Sequence, residues 1–170
     1  VPFHFSPRQL LRKQLKRLAE QGMSSLVGLE IEWYLLRVAD DHLTPEHTGL
    51  PGVRGRPIGT WPVEPGFSYH SESNMDLMQP VLSVLAEAFG QIWLPLRSME
   101  NEWGPGQVEC TFAARPALEA ADTAMLFRTA TRQMCRRMGY LATFMCRPAI
   151  RSCYSSGWHL HQSLVDAASG

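Results

Sequence analysis

The chain lacks an apolar run near the ~20 residues that a membrane-spanning helix needs, so a membrane partner is not expected. It lacks a segment with the pattern of a secretory signal. It lacks an excess of charge. Sixteen basic and 16 acidic side chains give a formal net charge of 0, which removes the electrostatic reason to expect nucleic acid as a partner. Cysteines with metal-ligand spacing are missing too: Cys110, Cys135, Cys146 and Cys153 read as free thiols of a reducing cytoplasm. There is no Gly-x-x-x-x-Gly-Lys-Ser/Thr loop, so any nucleotide must be held by other means. No internal repeat or low-complexity segment interrupts the 170 residues, which are 45% hydrophobic and enough for one domain with a core. The sequence opens on Val1 and stops at Ser169-Gly170 just after a strand pattern, which reads as a piece of a longer protein.

What is present is acidic and patterned. Glu102-Trp103-Gly104-Pro105-Gly106-Gln107-Val108-Glu109 sets two carboxylates around a Gly-Pro-Gly turn. Proline second and glycine third suit a type II turn. On one unbroken strand, residues seven apart face opposite sides; a turn resets the phase and lets both enter one site. An exposed acidic hairpin is the plain alternative. Glu30-Ile31-Glu32-Trp33-Tyr34-Leu35-Leu36 reads as a strand with Glu30 and Glu32 on one face and Leu29, Ile31 and Trp33 on the other. Trp158 to Leu164 repeats the pattern with His159, His161 and Ser163, backed by apolar residues. One such pair is ordinarily a solvated strand face; three suggest strands lining one polar cavity.

Around these strands the expected elements are mixed. Ser6-Pro7 opens a helix with Leu10, Leu11, Leu15 and Leu18 on one face and a basic opposite face, closed by Gly22. Residues 40–70 carry much of the proline and glycine and read as a long loop whose end Trp61, Phe67 and Tyr69 could tether. A helix over 74–89 buries Met75, Leu77, Met78, Val81, Leu82, Leu85 and Phe89, and Gly90 ends it. Strands follow over 96–102 and 107–113. A helix over 116–138 turns Leu118, Ala121, Met125, Leu126, Ala130 and Met134 inward, and a short strand covers 141–147.

Four carboxylates and an imidazole or two cannot share a cavity unneutralised. Like charges ~4 Å apart repel by about 4 kcal/mol at an effective dielectric of ~20. Either some are protonated or cations bind among them. Oxygen-rich sites with one imidazole suit Mg²⁺ or Mn²⁺. Two such ions point to phosphate chemistry. The spacing offers a metal-dependent phosphoryl-transfer site and equally a metallohydrolase.

Four motifs, in this order and spacing, resemble the glutamine synthetase superfamily from about residue 6 onward. They are Gly28-Leu29-Glu30-Ile31-Glu32-Trp33-Tyr34, Gly104 to Glu109, Ala142 to Pro148, and Ser156 to Leu164. The resemblance implies an α+β fold: a curved, mainly antiparallel sheet with helices on its outer face. It implies an ATP-dependent ligase that joins ammonia to the glutamate γ-carboxylate through a γ-glutamyl phosphate, with two divalent ions. Matched by motif, Glu32, Glu102 and Glu109 resemble ligands of the ion that helps activate glutamate. Glu30 and His159 resemble two ligands of the ion that holds the ATP phosphates. Glu32, Glu109 and His159 are thereby the implied catalytic residues, while His161 and Ser163 resemble nucleotide-side residues. Glu100 lies off the pattern.

Arg147 stands where the family usually has lysine, and Tyr154-Ser155 where it usually has Asn-Gly. A phenol in place of an amide changes shape and hydrogen bonding at the amino-acid site. That makes a γ-glutamyl-amine ligase for a larger amine the alternative. A non-catalytic descendant of the fold and an unrelated phosphohydrolase complete the set. The resemblance also implies a homo-oligomeric ring of ten or twelve subunits, a preceding small domain, and remaining ligands beyond Gly170. On that reading residues 1–170 form the first part of a catalytic domain and are inactive alone.

Overall fold

The computed structural model describes residues 3–40 and 42–168. The chain runs α1 (Pro7–Ala19), β1 (Met23–Val38), α2 (Pro45–Thr48), β2 (Thr60–Pro62) and α3 (Glu72–Gln91). It continues through β3 (Leu96–Asn101), β4 (Gln107–Phe112), β5 (Arg115–Pro116), α4 (Ala117–Arg137), β6 (Tyr140–Thr143) and β7 (Trp158–Asp166). The strands form one antiparallel sheet, so the α+β expectation holds.

The 16-residue β1 is its spine. Glu30 pairs with Thr111 of β4 on one side and with His159 of β7 on the other. Tyr34 likewise lies between Gln107 of β4 and Thr143 of β6. β3 extends the sheet beyond β4. Period two then sorts β1 into two faces. Ile31, Trp33 and Leu35 enter the core with Val108, Cys110 and Phe112 of β4. Glu30 and Glu32 face away. β1 starts at Met23, well before the expected Glu30, because pairing with β7 from Met23 to Ile31 overrides the weak strand preference of Ser24, Ser25 and Gly28.

Helices α3 and α4 cover the core face. α3 presents Met78, Val81, Leu82, Leu85 and Phe89. Leu77, expected inward, is half exposed, and Gly90 lies inside the helix rather than ending it; Ile92 is the cap. α4 buries Ala117, Ala120, Phe127, Thr131 and Cys135, not the expected Met125 and Leu126, which are exposed. Phe127 fixes that phase: its ring lies edge-on to Phe89, Phe112 and Phe144 at 5.4, 5.0 and 5.8 Å. α1 has the expected Ser6 at its N-cap position, but the hydroxyl makes no capping bond. An exposed Arg8–Asp122 pair at 2.7 Å links α1 to α4, a contact of small worth.

β6 ends at Thr143, short of the expected Arg147, because Phe144 turns under the sheet to stack on Trp33 at 5.9 Å. The apolar face of β7 also differs from expectation. Trp158, Leu160 and Leu164 are exposed and line an open groove of about 600 Å³ with Leu11, Leu15 and Leu18. No helix among the described residues is long and apolar enough to cross a membrane.

Removing the Phe127 ring should break three aromatic contacts at once. Phe127→Ala is expected to lower unfolding free energy by about 3–5 kcal/mol, read from chemical denaturation.

Candidate functional site

The acidic turn is built rather than exposed. Gln107 N–H donates to Gly104 O at 2.9 Å, and Gly106 has φ 71°, as a type II turn requires. Gly104, Pro105, Gly106 and Gln107 are all buried, which excludes the solvated-hairpin alternative. The cover is residues 60–67. β2 pairs with Leu36, Arg37 and Val38, and Phe67 N–H donates to Trp103 O at 2.8 Å. Buried Glu64 accepts from the backbone N–H groups of both Gly66 and Gly106, clasping loop to turn. Trp61, Phe67 and Tyr69 do not tether the loop by burial as expected; each ring is about half exposed, and backbone bonds carry the attachment.

On the side chains, two acidic groups meet. Glu32, Glu102 and Glu109 bring ligand atoms within 4.8 Å of one another, and so do Glu30, Glu109 and His159. Glu109 belongs to both because it lies opposite Glu32 in the β1–β4 ladder. His159 Nδ1 lies 3.1 Å and His161 Nε2 3.2 Å from the two oxygens of Glu30. The His159 contact above all holds the Glu30 carboxyl below its ordinary range. Ser163 pairs with Leu26 further along β7 and belongs to neither group. Glu100, off the pattern, lies opposite Glu109 across β3–β4, with one buried oxygen unpaired.

Burial, then repulsion from Glu102, Glu30 and Glu32, pushes Glu109 up to about 7. Glu102 is raised as well, first by burial. Carboxylates that hold protons this tightly are ones that a divalent cation would relieve. The donor set of oxygens with one imidazole fits Mg²⁺ or Mn²⁺. The main chain comes close against these side chains at Gly157, where an added Cβ would lie 2.5 Å from His159 Nε2 and 2.6 Å from Glu32 Oε1 and displace them.

Three further residues order this site, and their types alone did not announce them. Gln107 Nε2 donates to Glu32 Oε2 at 2.6 Å, while its Oε1 accepts from Gly104 N–H at 2.9 Å. Tyr34 O–H donates to Tyr154 O at 2.9 Å and accepts from Tyr154 N–H at 2.7 Å. With Glu64, these tie turn, sheet and the 152–156 loop together. For Tyr34 and Gln107 the signal in the sequence was their place within the acidic motifs; Glu64 carried none.

An open antiparallel sheet with helices behind it and two overlapping acidic groups in front defines the class: a scaffold able to seat divalent ions on one face. The chain belongs to the glutamine synthetase family; residues 4–169 match the model of the glutamine synthetase catalytic domain. Gamma-glutamylanilide synthase of Acinetobacter sp is 45% identical over 166 residues, 97% of this chain and 33% of that protein. Glutamate–isopropylamine ligase of Pseudomonas sp is 33% identical over 171 residues, 98% of this chain and 34% of that protein. A crystal structure of a novel glutamine synthase homolog has a TM-score of 0.76 at 26% identity and covers 98% of this chain and 34% of its own. The chain thus spans about a third of the length of the curated relatives it matches.

The raised Glu109 makes stability fall with pH. Unfolded, this carboxyl titrates near 4.5; folded, near 7, so the folded state holds a proton that the unfolded state has given up. Raising pH through that window is expected to lower the melting temperature of the metal-free protein, with no further change from this group above it. Glu109→Gln should flatten the trend, and Mn²⁺ should offset it. Melting curves between about pH 5 and pH 8 check all three outcomes.

Proposed function

We propose that the whole protein is an ATP-dependent carbon–nitrogen ligase that joins an amine to the γ-carboxylate of glutamate through a γ-glutamyl phosphate. The observation that carries this reading is the pair of acidic groups sharing Glu109 on the sheet of a glutamine synthetase family member. Glu32, Glu102 and Glu109 would hold one divalent ion, and Glu30 and His159, with Glu109 alongside, the other. Bound Mg²⁺ or Mn²⁺ would supply charge neutralisation at the transferring phosphoryl group. Gln107 holds the Glu32 carboxylate in place through Nε2. His161, on the open side of Glu30, is suited to the nucleotide side; Ser163 is assigned there on resemblance alone.

For the nucleophile we favour an amine larger than ammonia. One relative is named for an anilide product and another for isopropylamine as the amine it joins to glutamate, and Tyr154-Ser155 departs from the usual Asn-Gly. Ammonia remains the second reading, because the acidic groups serve either nucleophile. A non-catalytic role is disfavoured: a part-buried set of mutually repelling carboxylates is costly without a task. A ring-shaped homo-oligomer accompanies the proposal by family resemblance, and a cytoplasmic setting by the free cysteines.

The test is ATP consumption by the full-length protein with glutamate, Mg²⁺ or Mn²⁺, and a panel of amines including ammonia. Glu32→Ala and Glu109→Ala should each cost on the order of 100-fold or more in turnover and weaken metal binding. Unchanged turnover in both variants would refute the assignment.

A further inference from the structure

Phe67, Trp103 and Tyr154 come from three separate segments and meet beside the acidic groups. The Tyr154 ring stands edge-on to Phe67 at 6.1 Å and to Trp103 at 6.5 Å, with interplanar angles of 75° and 77°. Each ring is only about half covered. Trp103 follows Glu102, whose carboxylate accepts the Trp103 N–H at 3.0 Å. Ser155, next to Tyr154, offers its carbonyl to the Gln107 amide that also holds Glu32. The trio therefore borders the Glu32–Glu102 end of the site.

These rings are held by main chain, which leaves the side chains free. Tyr154 is fixed through its own N–H and C=O to buried Tyr34. Phe67 is fixed by the Trp103 carbonyl in a left-handed conformation, φ 61°, that a bulky side chain adopts only under constraint. Ser152, which leads into the Tyr154 segment, is left-handed as well, φ 71°. Strain and half-exposed aromatic surface beside a reaction centre are the marks of a surface built for a ligand.

We propose that Phe67, Trp103 and Tyr154 form the acceptor wall and select an aryl amine as nucleophile. The inference rests on the ligase reading above and names the amine class. An alkyl amine is protonated near neutral pH, so the carboxylates alone can draw it in. An aryl amine is a far weaker base, arrives uncharged, and needs aromatic surface instead. Its nitrogen bonds to the γ-carbonyl carbon, the carbon–oxygen bond to phosphate breaks, phosphate departs, and the nitrogen releases one proton to solvent.

The experiment measures kcat/KM of the full-length protein for aniline and for methylamine, with ATP, glutamate and Mn²⁺. The wild type should prefer aniline. Tyr154→Asn and Phe67→Asn should lower the aniline-to-methylamine ratio on the order of tenfold or more, as losing apolar acceptor contacts predicts. Asparagine tolerates the left-handed backbone at 67. Tyr154→Phe should keep the ratio, since ring surface and main-chain bonds persist. Equal losses for both amines, or a ratio lost in Tyr154→Phe, would overturn the wall. Turnover of methylamine but not aniline by the wild type would overturn it while leaving the ligase standing. Turnover with no amine at all would refute both the ligase reading and the wall.

Discussion

Mutual repulsion among carboxylates is the constraint that the rest of this structure answers. Glu30, Glu32, Glu102 and Glu109 project from one sheet face, and Glu109 cannot approach Glu32 without approaching Glu30. The ladder fixes their Cα positions, and hydrogen bonds orient two of the carboxylates. His159 and His161 clasp Glu30, and the Gln107 amide holds Glu32. Burial, and then the neighbouring carboxylates, push Glu109 up to about 7. Rigidity elsewhere is what keeps the row from relaxing apart. Trp33, Cys110 and Val108 pack directly behind these carboxylates in fully buried positions, so a strand cannot shift without opening the core.

The alternation that builds the core also builds the site. In β1 the same six residues give Ile31, Trp33 and Leu35 to the helices and Glu30, Glu32 and Tyr34 to the other face. A slip of one residue would exchange the two sets, so register is specified twice over. Tyr34 shows the second specification: its hydroxyl is satisfied only where Gln107 and the Tyr154 backbone converge.

This explains what the sequence disclosed. Strand faces were legible because period two is local: Glu30 with Glu32, and Val108 with Cys110, need no partner to be sorted. The turn was legible because Gly104-Pro105-Gly106 has its own backbone chemistry. Cross-strand register was not. Nothing local says that Glu109 lies opposite Glu32 and thereby enters both acidic groups. Glu64 reads as one acid in a Pro-Gly loop, yet it clasps two backbone amides. The phase of α4 was misread because Met125 and Leu126 outrank Ala120 and Thr131 in hydrophobicity, whereas the aromatic contacts of Phe127 decide which stripe turns inward. The exposed apolar face of β7 shows the same limit: alternation marks a face as apolar without saying what covers it.

The loops follow from the same economy of backbone. Gly104 lies so close to the Tyr34 hydroxyl and the Gln107 amide that a side chain there would displace both. Gly66 is pressed against Pro105, and Gly157 against His159 and Glu32. Each glycine lets main chain come where a Cβ could not, and each approach is sealed by a hydrogen bond from a neighbouring buried group. Side chains that border these approaches are thereby committed. Phe67 keeps a left-handed backbone because its N–H is claimed by Trp103, and Tyr154 keeps its place because Tyr34 claims both of its backbone groups. The scaffold fixes where those rings stand while leaving their surfaces uncovered. Substitutions at 67, 103 and 154 can therefore change what the site accepts without disturbing the backbone bonds that position the carboxylates.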